Sequence, residues 1–243
     1  MKLSANTIKL FKDCPRCLWL EKRHKIKRPS GAFPSLPRGI DECMKNYFDK
    51  YRVRPELAGK MPPELKLEGF KGTFYGATRE EMERLNRWRS YRKSDLQYTD
   101  PKTGDVLYSV IDDLLFGYDG LFVVIDNKSR SSAPKPETID MYRHQIGVYN
   151  LCLNACGYKT ANYGFLNFVW PKEMSEGCIV DFETQAVRVD CDDEATIKLF
   201  NGAVDCINSE TPPEENPKCD YCGYSEKLCG FVSENFLDCK VRK

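Results

Sequence analysis

Val106-Leu-Tyr-Ser-Val-Ile-Asp-Asp-Leu-Leu-Phe116, Gly117-Tyr-Asp-Gly120 and Leu121-Phe-Val-Val-Ile125-Asp126-Asn127-Lys128 follow one another in the middle of the chain. The first stretch is rich in β-formers, the second is a turn signal, and the third is a continuous apolar run. Together they predict a β-hairpin with at least one deeply buried strand. The first strand carries Asp112 and Asp113, and the second ends in Asp-x-Lys. Side chains alternate along a strand, so Asp126 and Lys128 share a face. Charges near a core are costly unless they pair or bind metal. Two or three carboxylates can hold Mg²⁺, which prefers hard oxygen ligands. A nearby lysine can orient a nucleophile or offset charge on a phosphate. Asp-x-Lys by itself also describes an ordinary surface ion pair.

Working outward, a first helix is expected from near Ser4, with Ser4 and Thr7 in its cap region. Ile8, Leu10, Phe11, Leu18 and Leu20 supply its apolar positions, and Pro15 interrupts or restarts it. Residues 28–37 read as a loop. A second helix runs from about Arg38 to Tyr51, with Ile40, Met44, Tyr47 and Phe48 at helical spacing. Residues 52–80 read as irregular and 79–92 as a short charged helix. Ile139, Tyr142, Ile146, Tyr149 and Leu153 mark a helix over 137–156. Strands are expected at 160–170 and 178–189, a helix at 192–209, and a tail from Pro212-Pro213 onward. This order predicts an α/β fold with a central mixed β-sheet flanked by helices.

With 243 residues, 41% hydrophobic and 30% charged, the chain has the balance of a globular domain rather than a disordered one. No apolar run reaches the ~20 residues of a membrane span. Met1-Lys2-Leu3-Ser4 lacks the apolar core of a signal peptide, so a cytoplasmic location is expected and no membrane partner. The net charge of +1 does not announce a nucleic-acid partner, which would have to meet a local patch. Two candidates exist. One is Lys22-Arg23-His24-Lys25-Ile26-Lys27-Arg28; the other is Arg87, Arg89, Arg92 and Lys93, interleaved with Trp88 and Tyr91. Each also reads as a solvated helix face.

Twelve cysteines in such a chain argue against a disulfide framework. Cys43, Cys152, Cys156, Cys178, Cys191 and Cys206 stand singly and read as small buried hydrophobes, and Cys239 as incidental. Two groups differ: Cys14-Pro15-Arg16-Cys17, and Cys219-x2-Cys222-x6-Cys229. Three thiolates in the tail need a fourth ligand from elsewhere. A pair of Cys-x2-Cys motifs, Cys14/Cys17 with Cys219/Cys222, also makes a zinc-ribbon set. Spacing alone leaves zinc and iron–sulfur both open.

Asp112, Asp126-Asn127-Lys128 and Gln145-Ile-Gly-Val-Tyr149 resemble, in order, the signatures of RecB-like nucleases of the PD-(D/E)XK superfamily. The resemblance implies a restriction-endonuclease-like core. It implies metal binding by Asp112 and Asp126, with the main-chain carbonyl of Asn127, and catalysis by Lys128. It implies that Gln145 and Tyr149, one helical turn apart, stand beside the active site and the DNA backbone. Within Gly39-Ile40-Asp41-Glu42, Asp41 resembles a third ligand, with Glu42 as fallback; the pair equally reads as exposed helix acids. Two positions depart from the pattern: Asn127 stands where an aromatic is usual, and Ser109 where a glycine is common.

Phe11-Lys-Asp-Cys14-Pro15-Arg16-Cys17-Leu18-Trp19-Leu20 resembles the N-terminal signature of the iron–sulfur subset of that branch, which includes CRISPR-adaptation nucleases and AddB-type recombination subunits. That likeness implies a 4Fe–4S cluster on Cys14, Cys219, Cys222 and Cys229, clipping the two chain ends together, with structural Zn²⁺ as the alternative. The implied activity is Mg²⁺- or Mn²⁺-dependent hydrolysis of DNA phosphodiesters, as an exonuclease on single strands or duplex ends. Arg16, Lys25, Lys27 and Arg28 are candidate phosphate contacts. The implied setting is recombination, repair, phage or CRISPR-adaptation DNA processing, beside a helicase or other DNA-processing protein, since the chain holds no P-loop. The alternative is a weakly active or inactive DNA-binding or assembly subunit. One domain over 1–243 is expected, with a helical part (1–100), a catalytic α/β core (101–190), and a C-terminal helix with the cysteine cluster (191–243).

Overall fold

The computed structural model of the chain describes residues 1–29, 31 and 35–235. Cys239 and part of the expected 28–37 loop lie outside the described residues. The elements are β1 (Lys2–Ser4), α1 (Ala5–Asp13), α2 (Pro15–His24), α3 (Ser35–Val53), β2 (Gly72–Phe74), α4 (Arg79–Trp88), β3 (Gln97–Thr99), β4 (Val106–Tyr108), β5 (Asp113–Gly117), β6 (Phe122–Ser129), α5 (Pro136–Ala155), β7 (Tyr163–Ser175), β8 (Ile179–Asp190), α6 (Asp193–Asn208) and α7 (Asp220–Asn235). Two compact units divide them: Met1–Ala5 with Ala32–Leu199, and Asn6–Gly31 with Phe200–Lys243.

The first unit holds a five-stranded sheet in the order β2-β5-β6-β7-β8 and a three-stranded one in the order β1-β4-β3. The expected hairpin is present as β5–β6, antiparallel, with Asp113 opposite Ile125. β6 and β7 are parallel, so the chain must cross over between them, and α5 makes that crossing. The larger sheet is therefore mixed, with helices on it, as the element order predicts.

The stretch Val106–Phe116 is not one strand. Val106–Tyr108 pairs with β1 and β3, and Asp113–Gly117 pairs with β2 and β6. The chain changes sheet between them, which leaves Asp112 at a strand entry rather than inside a strand.

Strand alternation sorts the faces of β6. Val123 and Ile125 pack with Leu115, Phe165 and the α3 residues Phe48 and Tyr51 in one apolar cluster. Asp126 and Lys128 therefore point the other way, toward α5. Gly164 on β7 lets α5 come close: a Cβ there would sit 2.7 Å from Ile146 Cγ2 and 2.8 Å from the Val124 carbonyl. On α4, Thr78 and Glu81 form a capping box that fixes the helix start.

Trp88 and Arg89 turn inward, whereas Arg87, Tyr91, Arg92 and Lys93 of the same stretch stay exposed. Trp88 is 1% exposed. Arg89 and Arg52 clamp the fully buried Asp113. Arg89 Nη2 donates to Asp113 Oδ2 at 2.8 Å, Arg52 Nη2 contacts Asp113 Oδ1, and both guanidiniums also meet Asp49. Among the described single cysteines only Cys152 is buried. Cys43, Cys156 and Cys178 are exposed, and Cys191 and Cys206 are intermediate, so most are not core residues.

Candidate active site and thiolate centre

Four elements of the first unit converge on one polar cluster. The β5–β6 register brings Asp112 beside Asp126, and Asp112 Oδ2 accepts the Asn127 N–H at 3.1 Å. Two residues along β6, Lys128 Nζ lies 2.5 Å from Asp126 Oδ2. From α5, Tyr149 Oη donates to Asp126 Oδ1 at 3.4 Å, and the Tyr142 ring lies 4.8 Å below the Lys128 ammonium. Gln145 is buried on the same helix. From α3, Asp41 and Lys45 stand one turn apart, and Lys45 Nζ donates to Asp41 Oδ2 at 2.7 Å and to Asp112 Oδ1 at 2.9 Å. Glu42 is exposed, so Asp41 is the helix acid that turns inward.

Asp41, Asp112, Asp126, Lys128, Gln145 and Tyr149 thus share one region. Lys45 and Tyr142 join them without having been singled out. Lys45 has a sequence signal, four residues after Asp41, but that pattern is also the commonest surface helix pair. Tyr142 lies two helical turns before Tyr149, on the same face. Asn127 points away from the cluster; its Oδ1 accepts from Asn167 Nδ2 of β7 at 3.0 Å, which accounts for an amide at a position usually aromatic.

The charges are mutually adjusted. Burial, with Asp112 adding to it, raises the Asp126 carboxyl to about 7 against the pull of Lys128. Burial opposes charge on Asp112 too, but Lys45 and Lys128 outweigh it and hold its pKa below the ordinary carboxylate value. Burial and then Asp112 raise Asp41. Burial opposes charge on Lys128, yet Asp126 and Asp112 outweigh it and hold its pKa above the usual value.

These residues fit a divalent cation. Asp41 Oδ1 and Gln145 Oε1 are buried and accept no hydrogen bond, and Asp126 Oδ2 meets only the Lys128 ammonium as an ion pair. Carboxylate and carbonyl oxygens are the hard ligands that Mg²⁺ or Mn²⁺ takes. Two ammonium groups, those of Lys45 and Lys128, stand among these acids.

The second unit carries that other cluster. Cys14 and Cys219 each immediately precede a helix, α2 and α7, and Cys17 and Cys222 sit three residues on, in the first turn. All four are buried, and their sulfurs lie within 4.8 Å of one another. Helix N-termini favour negative charge, so both pairs sit where thiolates are stabilised. Burial opposes ionisation of Cys219, but hydrogen bonds from the Cys222 N–H and the neighbouring thiols bring its pKa down to about 7. Arg28 Nη2 donates to Cys219 Sγ at 3.6 Å, and the Asn216 N–H to Cys14 Sγ at 3.5 Å.

The expected ligand set is corrected here: Cys17 completes the group and Cys229 does not. Cys229 is exposed on α7, seven residues beyond Cys222. Two turns of helix carry it about 10 Å along the axis, out of reach of a centre built at the helix start. Two of the expected phosphate contacts are also engaged within this unit. Arg16 Nη1 pairs with Glu215 at 2.5 Å, and Arg28 lies over the Tyr221 ring at 4.7 Å; Lys25 and Lys27 are exposed.

A mixed sheet whose central strand presents Asp-x-Lys, facing a second aspartate and a helix-borne Gln and Tyr, defines a nuclease core of the restriction-endonuclease type. The chain matches the family model of the PD-(D/E)XK nuclease superfamily over residues 2–229, and it belongs to that superfamily. No curated protein matches it. Among solved structures, it is similar to the crystal structure of SSO0001 at 14% identity, with a TM-score of 0.40, over 93% of this chain and 84% of that one.

Proposed function

We propose that this chain is a RecB-like DNA nuclease that hydrolyses phosphodiester bonds with Mg²⁺ or Mn²⁺, acting as an exonuclease on single strands or duplex ends. The observation that carries the reading is the meeting of Asp112, Asp126 and Lys128 at the β5–β6 edge beneath Gln145 and Tyr149 of α5. Asp112 and Asp126, with Asp41, would hold the cation. When bound, it would polarise the scissile phosphate and make water a stronger nucleophile.

The protein's own groups do the rest. Lys128 holds its proton firmly between Asp126 and Asp112, so it can orient the attacking water and offset negative charge on the phosphate. Tyr142 beneath it and Asp126 beside it fix the direction of its ammonium. Tyr149 donates to Asp126 Oδ1 and Lys128 pairs with Oδ2, so the two side chains fix the orientation of the carboxyl group. Gln145, one helical turn before Tyr149, carries a buried carbonyl oxygen that accepts no hydrogen bond.

The resemblance supports a place in recombination, repair, phage or CRISPR-adaptation DNA processing, with a helicase or other partner supplying any unwinding. The eleven described cysteines are all free of disulfides, which supports a reducing compartment such as the cytoplasm. No helix among the described residues is long and apolar enough to cross a membrane. Residues 101–190, as the catalytic α/β part of one nuclease domain over 1–243, would carry most of the chemistry.

A second reading is a binding or assembly subunit with little cleavage. It is favoured by Lys45, whose ammonium bridges Asp41 and Asp112 as a metal ion would. Incubating the protein and its Asp126→Ala variant with 5′- and 3′-labelled single- and double-stranded DNA, with Mg²⁺, Mn²⁺ or EDTA, decides between them. Metal-dependent cutting lost in the variant supports the nuclease, and the label that is released gives the polarity. No cutting on any substrate supports the second reading.

A further inference from the structure

The resemblance implies a 4Fe–4S cluster, but the thiolates on the page fit a different group. We propose that Cys14, Cys17, Cys219 and Cys222 hold one tetrahedral Zn²⁺ ion.

Cys14 Sγ is 3.7 Å from Cys222 Sγ, and Cys17 Sγ is 3.6 Å from Cys219 Sγ and 3.7 Å from Cys222 Sγ. Zinc–thiolate bonds are about 2.3 Å long, so a tetrahedron around one ion has edges of about 3.8 Å. Three of the six sulfur–sulfur separations therefore match that edge, and all four sulfurs lie within 4.8 Å of one another, the span of a single-ion site. In a cubane cluster each thiolate is bound to its own iron. The four sulfurs must then spread by the iron–iron separation, and the space between these four does not admit four irons and four sulfides.

The way the chain presents the ligands agrees. Both pairs are Cys-x2-Cys, and each places one cysteine just before a helix and the other in its first turn. The two pairs are equivalent, as in a zinc ribbon. The three-cysteine spacing that an iron–sulfur tail would use is not realised, because Cys229 lies two turns down α7 and is exposed. Four thiolates around Zn²⁺ leave an excess of two negative charges. Arg28, donating to Cys219 and resting on Tyr221, together with the Asn216 N–H on Cys14, offsets them.

The test is the metal content of protein made with both iron and zinc in the medium and purified without oxygen, so that an oxidised cluster is not mistaken for zinc. One zinc per chain and a colourless protein are expected. X-ray absorption at the zinc edge should show four sulfurs at a single distance. Cys229→Ser should retain the zinc and Cys17→Ser should lose it. Should Cys17→Ser fail to fold, cobalt substitution of the wild-type chain reads the same site: Co²⁺ should give the intense visible bands of a tetrahedral thiolate complex, and Zn²⁺ should remove them. Iron with sulfide in the anaerobic protein, loss of metal in Cys229→Ser, or a protein that takes up no metal would each overturn the proposal. None of these readings depends on nuclease activity.

Discussion

Neighbouring aspartates at the entry to β5 have opposite duties. Asp113 is fully buried between Arg52 and Arg89, while Asp112 faces Lys45 and the Asn127 amide. Breaking a buried ion pair typically costs 3–5 kcal/mol. Asp113→Ala should therefore destabilise the protein by about that much in urea unfolding, whereas Asp112→Ala should leave the midpoint close to wild type and remove cleavage. Equal effects of the two on stability would refute the assignment. Asp126 makes a second prediction. Its folded pKa of about 7 lies above the ordinary carboxylate value, so in metal-free protein it is protonated below that pH. A cation must displace the proton, so apparent Mg²⁺ affinity should rise as pH is raised from 6 to 8 and level off above that, as calorimetric titration would show. Flat affinity over that range would contradict it. Removing the competing ammonium with Lys45→Ala should tighten Mg²⁺ binding by about tenfold, roughly 1.4 kcal/mol; weaker binding would show that Lys45 supports the cation rather than replacing it. Asp112, Asp126 and Lys128 stand out in the sequence through the order of their resemblance to the superfamily's motifs; strand alternation by itself places only Asp126 and Lys128 on one face. Lys45 could not, because an Asp–Lys pair one turn apart looks the same on a solvated helix.

Local patterning was a good guide to elements wherever the pattern was also the packing. α5 occupies 136–155 against the expected 137–156; its second half, from His144 to Leu153, is buried on every side, more deeply than a single apolar stripe requires. The run Val106–Phe116 misleads because its two halves satisfy the same β-propensity in different sheets, and only long-range pairing with β1, β2 and β3 tells them apart. α7 went unpredicted, since its start is set by Cys219 and its weakly amphipathic residues resemble a tail. The close approach of α5 to the sheet can be tested at Gly164. Gly164→Val would drive a side chain into Ile146 and the Val124 carbonyl, with backbone on one side that cannot move cheaply. A loss of about 1–3 kcal/mol is expected in chemical unfolding, with lower cleavage as Tyr149 shifts from Asp126. Unchanged stability would mean that the helix packs less tightly than described.

At the scale of the whole molecule, two units carry two kinds of centre. The oxygen-rich site belongs to the unit with the mixed sheet. The thiolate site joins sequence from both ends of the chain in the other, tying Cys14 to Cys222 across 208 positions. The closure adds to the hydrogen bonds that already join these segments, among them Arg16 to Glu215 and Trp19 Nε1 to the Ser209 carbonyl, and binding energy at a structural metal is folding energy. A strong chelator with a thiol reagent should therefore strip hydrogen-exchange protection from α2 and α7 while β5 and β6 keep theirs. Uniform loss over both units would contradict this division of labour. The partnership of early and late cysteines was legible from their grouping. The choice of Cys17 over Cys229 was not, since it depends on where α7 begins.

The most direct test of the central claim is single-turnover cleavage of labelled DNA by wild-type protein and Lys128→Met, with Mg²⁺, beside a DNA-binding measurement in Ca²⁺. The active-site assignment predicts that the variant binds DNA as well as wild type and cuts it at least a hundredfold more slowly, the range for loss of one group stabilising transition-state charge. Cleavage at the wild-type rate would place the chemistry elsewhere in the molecule.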